Sequence, residues 1–175
     1  MQEPLWVFGY GSLIWDPGFP VAERRIACLE GWHRSFCMRS IHHRGTVENP
    51  GLVLALDRQA GASCTGVAFR VEPGHEVATL YALRERELVS SAYLETGLAV
   101  TTDTGRLDVL AYVIDPDHVQ YCQLSREDQA QIIARATGGR GRNCDYLWST
   151  AAHLAELGIR DPDLDWLAER VRALI

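Results

Sequence analysis

Two short stretches carry residues whose types and spacing suit chemistry. Arg84-Glu85-Arg86-Glu87 is a dense run of charge set within an apolar series, Val77, Leu80, Tyr81, Leu83 and Leu88. With Leu80, Leu83 and Leu88 facing a core, Glu87 adjoins the apolar side and Glu85 lies nearer solvent. A carboxylate beside apolar surface is partly desolvated, which disfavours its charged form and moves it toward general-base chemistry. The same run is also what a solvated helix face looks like, and spacing alone leaves both readings open.

The second stretch is Val7-Phe8-Gly9-Tyr10-Gly11-Ser12-Leu13, an apolar run ending in a glycine turn. Glycines at a strand exit let backbone N–H groups converge on one point, a nest that binds a carboxylate or phosphate without a cationic side chain. A tight turn with no ligand fits the spacing equally well. Such a turn is expected to need a positive φ at Gly11. Ile14 stands where a dinucleotide fingerprint requires its third glycine. Tyr10 and Ile14 likewise occupy the glycine positions of a nucleophile elbow around Ser12.

Weaker signals lie elsewhere. Gly138-Gly139-Arg140-Gly141-Arg142-Asn143-Cys144-Asp145-Tyr146-Leu147 sets two arginines among glycines, either an anion site or a flexible joint between helices. His42 and His43 adjoin without metal-ligand spacing and read as surface loop residues. Asp161-Pro162-Asp163-Leu164-Asp165 lacks the sixth-position glycine and the terminal glutamate of a calcium loop, so it reads as a capped helix start.

These residues need elements to position them. Residues 5–8 predict a buried strand, and 24–37 one or two strands, with 38–51 as a loop. Residues 52–57 form a short apolar strand, and Thr65, Val67, Phe69 and Val71 alternate at period two within a strand over 64–71. The period changes to helical from about His75 to Ser90. Strands follow over 96–102 and 107–114, joined by an Asp103-Thr104-Gly105 turn. Ser125 with Asp128 forms a capping box for a helix ending at Gly138 and Gly139, and a second helix spans 144–157. A third starts with Asp161 as N-cap and Pro162 in its first turn, with Leu164, Leu167, Val171 and Leu174 as its buried stripe. The outline is a mainly antiparallel sheet or barrel in the first two thirds, one inserted helix, and helices closing the C-terminus. Strands and helices do not alternate regularly, which argues against a doubly wound parallel sheet.

Composition narrows the class. The 175 residues suffice for one domain over 1–175, and 47% apolar with 23% charged residues is ordinary for a globular chain. A net charge of −6 argues against nucleic acid as partner. No apolar run approaches a membrane span, and Met1-Gln2-Glu3-Pro4 lacks the basic start and apolar stretch of a secretory signal. The five cysteines, Cys28, Cys37, Cys64, Cys122 and Cys144, are odd in number and widely spaced, which argues against a disulfide framework or structural zinc and for a reducing cytoplasmic compartment.

Together the motifs resemble the ChaC family of glutathione-specific γ-glutamylcyclotransferases. Trp6 through Trp15 (WVFGYGSLIW) looks like that family's N-terminal signature, and Pro50–Leu54 with Cys64–Ala68 is similar to its central region. Arg86-Glu87, followed by Tyr93, looks like its catalytic segment, and Gly141–Leu147 resembles its "SGxNxEYL" motif. The similarity runs in order along nearly the whole chain. One departure stands out: members of that family often carry Gly-Gly ahead of the tyrosine, whereas Ser91-Ala92 precede Tyr93 here.

The resemblance implies a mixed α/β (α+β) fold, a small mainly antiparallel β-barrel of the γ-glutamylcyclotransferase type with surrounding and C-terminal helices, and no metal or organic cofactor. It implies glutathione as substrate, cleaved to 5-oxoproline and cysteinylglycine. Glu87 is then the acid/base, and Gly9, Tyr10, Gly11, Ser12 and Leu13 bind the γ-glutamyl moiety, its carboxylate on backbone N–H groups. Tyr93 is expected to direct its hydroxyl to the same end of the substrate. Two alternatives stay open: the same reaction on other γ-glutamyl amino acids or amines, and a γ-glutamyl-binding regulatory protein without catalysis.

Overall fold

The computed structural model describes residues 3–88 and 91–175. The elements run β1 (Trp6–Gly9), α1 (Ser12–Trp15), β2 (Val21–Ser40), β3 (Gly51–Val71), α2 (Glu76–Glu87), β4 (Tyr93–Thr102), β5 (Gly105–Ile114), α3 (Arg126–Arg135), β6 (Thr137–Gly138), β7 (Gly141–Arg142), α4 (Asn143–Glu156) and α5 (Pro162–Leu174). Strands β1, β3, β2, β4 and β5 close in that order into a barrel, with β3 also pairing β5. The chain divides into two compact units, Met1–Arg34 with Leu56–His118, and Ser35–Ala55 with Val119–Ile175.

In the first unit the ladders are mostly antiparallel. β1 pairs with β3 from Trp6↔Arg70 to Gly9↔Val67, and β4 pairs with β5 from Tyr93↔Ile114 to Thr102↔Gly105. Parallel contacts of β5 with β1 (Val7↔Leu110) and with β3 (Leu56↔Val113) complete the closure. The β1–β3 approach demands glycine: a Cβ on Gly66 would lie 2.3 Å from the Gly9 carbonyl oxygen, and one on Gly9 would lie 2.8 Å from the Phe69 ring. Val7, Leu13, Val71, Leu83 and Tyr112 form a buried cluster, flanked by Leu5, Phe19, Leu88, Tyr93 and Leu110. Burying a side chain such as Leu83 contributes about 1.5–3 kcal/mol.

The strands are longer than their hydrophobic pattern implies. The two strands expected at 52–57 and 64–71 are one continuous strand, β3, and β2 extends through Met38–Ser40 into the segment read as loop. Over Asp57–Ser63 a mostly exposed run of polar and small residues interrupts the apolar pattern while the strand continues, which side-chain alternation does not report.

Helix α2 forms as expected, with Leu83 buried in the core cluster and Leu88 packed on it, while two of the apolar residues that mark its period face out. Val77 and Tyr81 are 62% and 69% exposed, whereas Thr79 and Leu83 are each 2% exposed. At helical spacing Thr79, Leu83 and Glu87 share one face, and Val77, Tyr81 and Glu85 the other. Thr79 extends the buried face one turn back, and as a small polar residue it escapes a reading based on apolarity.

In the second unit the caps are as read. Ser125 Oγ accepts from the Asp128 N–H at 3.1 Å, and Asp161 Oδ1 accepts from the Leu164 N–H at 3.1 Å. Leu164, Leu167 and Val171 are buried on α5. Helix α3 ends at Arg135, before the expected glycines, because Thr137–Gly138 pairs with Gly141–Arg142 as a short hairpin. A Cβ on Gly138 would lie 2.4 Å from the Gly45 nitrogen, so glycine there serves backbone packing. Among the described residues, no helix is long and apolar enough to cross a membrane.

Candidate active site

The site is built at the exit of β1. After Gly9 the chain turns into α1, closed by Ile14 N–H to the Gly11 carbonyl at 2.9 Å and Asp16 N–H to the Ser12 carbonyl at 2.8 Å. Gly11 adopts φ −140°, not the positive value expected, so its glycine is not required by a left-handed backbone. Tyr10 is buried and held at both ends. Its hydroxyl donates to the Tyr112 carbonyl at 2.7 Å, and its own carbonyl accepts from Arg34 Nε at 2.7 Å. The buried Arg34 also donates to the Thr65 carbonyl. Leu13 packs in the core cluster, and Tyr93, half-buried at the start of β4, packs against the same cluster.

Helix α2 brings its last turn to this place. Glu87, its final residue, has a side chain 13% exposed, and Glu85 is exposed. Arg86 Nε lies 3.5 Å from Glu87 Oε1, with the Arg86 side chain 18% exposed. The Arg86 guanidinium donates to Ser12 Oγ at 3.0 Å and to the Asp16 carbonyl at 2.6 Å. Arg86 thereby joins the glycine turn to the carboxylate.

One turn back, Arg84 forks Glu95 on β4 with two hydrogen bonds of 3.0 Å. The buried Tyr112 hydroxyl donates to the same carboxylate at 2.9 Å. Arg84's hydrogen bonds, with Tyr112's, hold the Glu95 carboxyl below the ordinary carboxylate range despite some desolvation. Burial, then the Glu95 hydrogen bond and the charges of Glu95 and Glu87, push the Tyr112 phenol well above its usual range. Tyr112 therefore stays neutral, a fixed donor near two carboxylates.

Residues read from the sequence as site candidates thus meet in one unit: Gly9 through Leu13, Glu87 and Tyr93. Arg34, Arg84, Glu95 and Tyr112 escaped sequence reading. Tyr112 sits in an apolar strand pattern that marks it only as core, and Glu95 lies just ahead of the strand expected from residue 96, in a β4 that starts at Tyr93. The Arg84–Glu95 pair joins a helix to a strand, a contact that no local spacing encodes.

The Gly141–Leu147 stretch lies in the second unit, and its conspicuous residues are structural. Asn143, fully buried, accepts from the Leu52 N–H and donates to the Leu52 carbonyl, both at 2.8 Å, so one side chain completes the ladder of β3. Tyr146 accepts from the Leu54 N–H at 3.1 Å, and Arg142 is forked to Asp145. Among the described residues, no three His, Cys, Asp or Glu side chains gather as metal ligands.

A nearly buried carboxylate beside a turn of neutral donors is equipped to move a proton on a substrate whose anionic end lies on the turn. The family model described as ChaC-like protein matches residues 5–174. A protein of Escherichia coli (strain K12) named glutathione-specific gamma-glutamylcyclotransferase is 38% identical over 176 residues, covering 99% of this chain and 75% of that protein. Gamma-glutamylcyclotransferase 2-3 of Arabidopsis thaliana is 33% identical over 183 residues, covering 98% of this chain and 90% of that one. In fold, the chain superposes with TM-score 0.89 on the selenomethionine-labelled crystal structure of a γ-glutamyl cyclotransferase specific to glutathione from yeast, at 24% identity, covering 98% of this chain and 97% of that one.

Proposed function

The chain belongs to the ChaC-like family, and from that premise we propose that it is a glutathione-specific γ-glutamylcyclotransferase with Glu87 as general acid/base. The observation that carries the reading is the placement of Glu87, 13% exposed, at the end of α2, tied through Arg86 to Ser12 of the glycine turn.

In the reaction, the α-amine of the γ-glutamyl group attacks its own γ-carbonyl. The new C–N bond closes a five-membered lactam, and the old amide C–N bond breaks. Between ammonium and lactam N–H the attacking nitrogen sheds two protons; Glu87 takes them one after the other and passes them to the leaving nitrogen, which departs as an ammonium, so 5-oxo-L-proline and L-cysteinylglycine leave with the carboxylate regenerated. The nucleophile is tethered, and effective molarities of about 10⁵ M or more are available to a chain held in the folded geometry. Backbone N–H groups of Gly9, Tyr10, Gly11, Ser12 and Leu13 hold the α-carboxylate, and Tyr93 orients the same end. Nothing in these steps requires a cofactor. The acidic net charge and the five free cysteines fit a cytoplasmic enzyme with a small-molecule partner rather than nucleic acid or membrane.

A second reading keeps the chemistry and widens the substrate to other γ-glutamyl amino acids or amines. It is favoured by Ser91, which takes φ 60° two residues before Tyr93, where the family pattern carries glycine. Comparing turnover of glutathione with that of γ-glutamyl-alanine separates the two. Faster turnover of glutathione supports the specific reading, and preference for the dipeptide replaces it. Production of neither 5-oxoproline nor cysteinylglycine by the folded protein leaves a non-catalytic γ-glutamyl binder.

A further inference from the structure

We infer that Arg86 is a positioning residue that sets both the placement of the Ser12–Trp15 turn and the charge state of Glu87; the inference rests on the site reading above. Its guanidinium meets three groups at once: Ser12 Oγ at 3.0 Å, the Asp16 carbonyl at 2.6 Å, and Glu87 Oε1 at 3.5 Å.

The turn needs such an anchor. Helix α1 has four residues, and its N-cap Gly11 supplies no side-chain hydrogen bond. A helix this short is far below the length that sustains itself in water, so contacts from outside the segment must hold it. Arg86 supplies them at both ends, through the side chain of Ser12 and the carbonyl of Asp16. The chain accommodates the guanidinium by passing close to it: Gly18 takes φ +75°, and a Cβ there would lie 3.4 Å from an Arg86 terminal nitrogen.

The charge acts on the partner carboxylate. Successive residues on a helix project about 100° apart and do not normally face each other. Glu87 closes α2, and the two side chains meet there while nearly buried. Two groups are placed to act on that carboxylate, the Arg86 guanidinium at 3.5 Å and, from β5, the Tyr112 phenol, which stays neutral; the cation is therefore the one that favours the ionised, proton-accepting form. The planar fork serves the hydroxyl, the carbonyl and the carboxylate together, which a single lysine ammonium on a flexible stem does not reproduce.

The two roles separate by substitution. Arg86→Gln removes fork and charge, and Arg86→Lys keeps the charge and loses the fork. Steady-state kcat and KM for glutathione are measured across pH for both variants, with thermal melts to verify folding and Glu87→Gln in parallel. For Arg86→Gln, kcat/KM falls about 100-fold, the scale of a displaced reacting group. Its acidic limb moves to higher pH, because the carboxylate then holds its proton further up the scale. Arg86→Lys returns the acidic limb to the wild-type position while KM stays raised. A folded Arg86→Gln with wild-type kcat/KM and an unmoved acidic limb, beside an inactive Glu87→Gln, overturns the inference alone. An Arg86→Lys variant with wild-type KM overturns the anchoring role, and decides the matter should the Gln variant not fold. If Glu87→Gln retains activity, it is the site reading that fails.

Discussion

The hydroxyl of Tyr10 donates to the main-chain carbonyl of Tyr112 at 2.7 Å, across 102 residues of chain. The bond fastens the turn after β1 to β5, and the hydroxyl of that same Tyr112 donates to Glu95. Arg34 holds the Tyr10 carbonyl from the other side. A loop of glycines is thus kept in one conformation by side chains that are themselves buried.

Tyr10→Phe is expected to cost about 0.5–1.5 kcal/mol of stability, because it removes the buried hydrogen bond to the Tyr112 carbonyl while leaving the ring in place. Urea denaturation of wild type and variant measures the difference. No loss would mean that the carbonyl finds another partner and the turn is held by packing alone.

Ser91 is the single non-glycine residue among those described with a positive φ, 60°. Left-handed backbone costs a side-chain-bearing residue about 1–3 kcal/mol, and glycine returns about 0.4–1 kcal/mol of that through unfolded-state entropy. Ser91→Gly is therefore expected to raise stability by about 1 kcal/mol, read as an increase in Tm, with Ser91→Ala giving no gain.

Glu95 contributes to stability in a pH-dependent way. Its folded carboxyl is held down, first by the Arg84 hydrogen bond and then by that of Tyr112. A depressed folded value means that the contribution is present above the unfolded carboxylate range, near 4.5, and is lost as pH falls through the lower folded value. The stability deficit of Glu95→Gln relative to wild type should accordingly be clear at neutral pH and shrink below the unfolded range. A deficit unchanged into strong acid would show that the Arg84–Glu95 pair adds nothing through charge. Tyr112 works in the opposite direction. Its raised phenol favours the folded state below the unfolded tyrosine range and withdraws that support as pH climbs above 10.

Much of this was legible in the sequence, for identifiable reasons. The caps at Ser125 and Asp161 are local hydrogen bonds within three residues, so residue type and spacing suffice to find them. The glycine turn after β1 was readable because Gly9 has no room for a side chain, which leaves a mark in composition. The side of α2 that carries Glu87 is legible from Leu83 and Leu88, which are buried in or packed on the core, whereas Val77 and Tyr81, which mark only the helical period, face out. The full length of β3 was not legible, because the mostly exposed polar and small residues at Asp57–Ser63 carry no apolar alternation to extend. Nor were Arg34, Asn143 or the Arg84–Glu95 pair, whose partners lie far along the chain or on the backbone of another element.

The central claim is that Glu87 carries the proton. Glu87→Gln preserves size and removes the base, and Glu85→Gln, on the exposed face of the same turn, is its control. With glutathione as substrate and 5-oxoproline as the measured product, Glu87→Gln is expected to lose about 10²–10⁴-fold in kcat while melting like wild type, and Glu85→Gln to match wild type. A folded Glu87→Gln variant that releases 5-oxoproline at near wild-type rate would contradict the account.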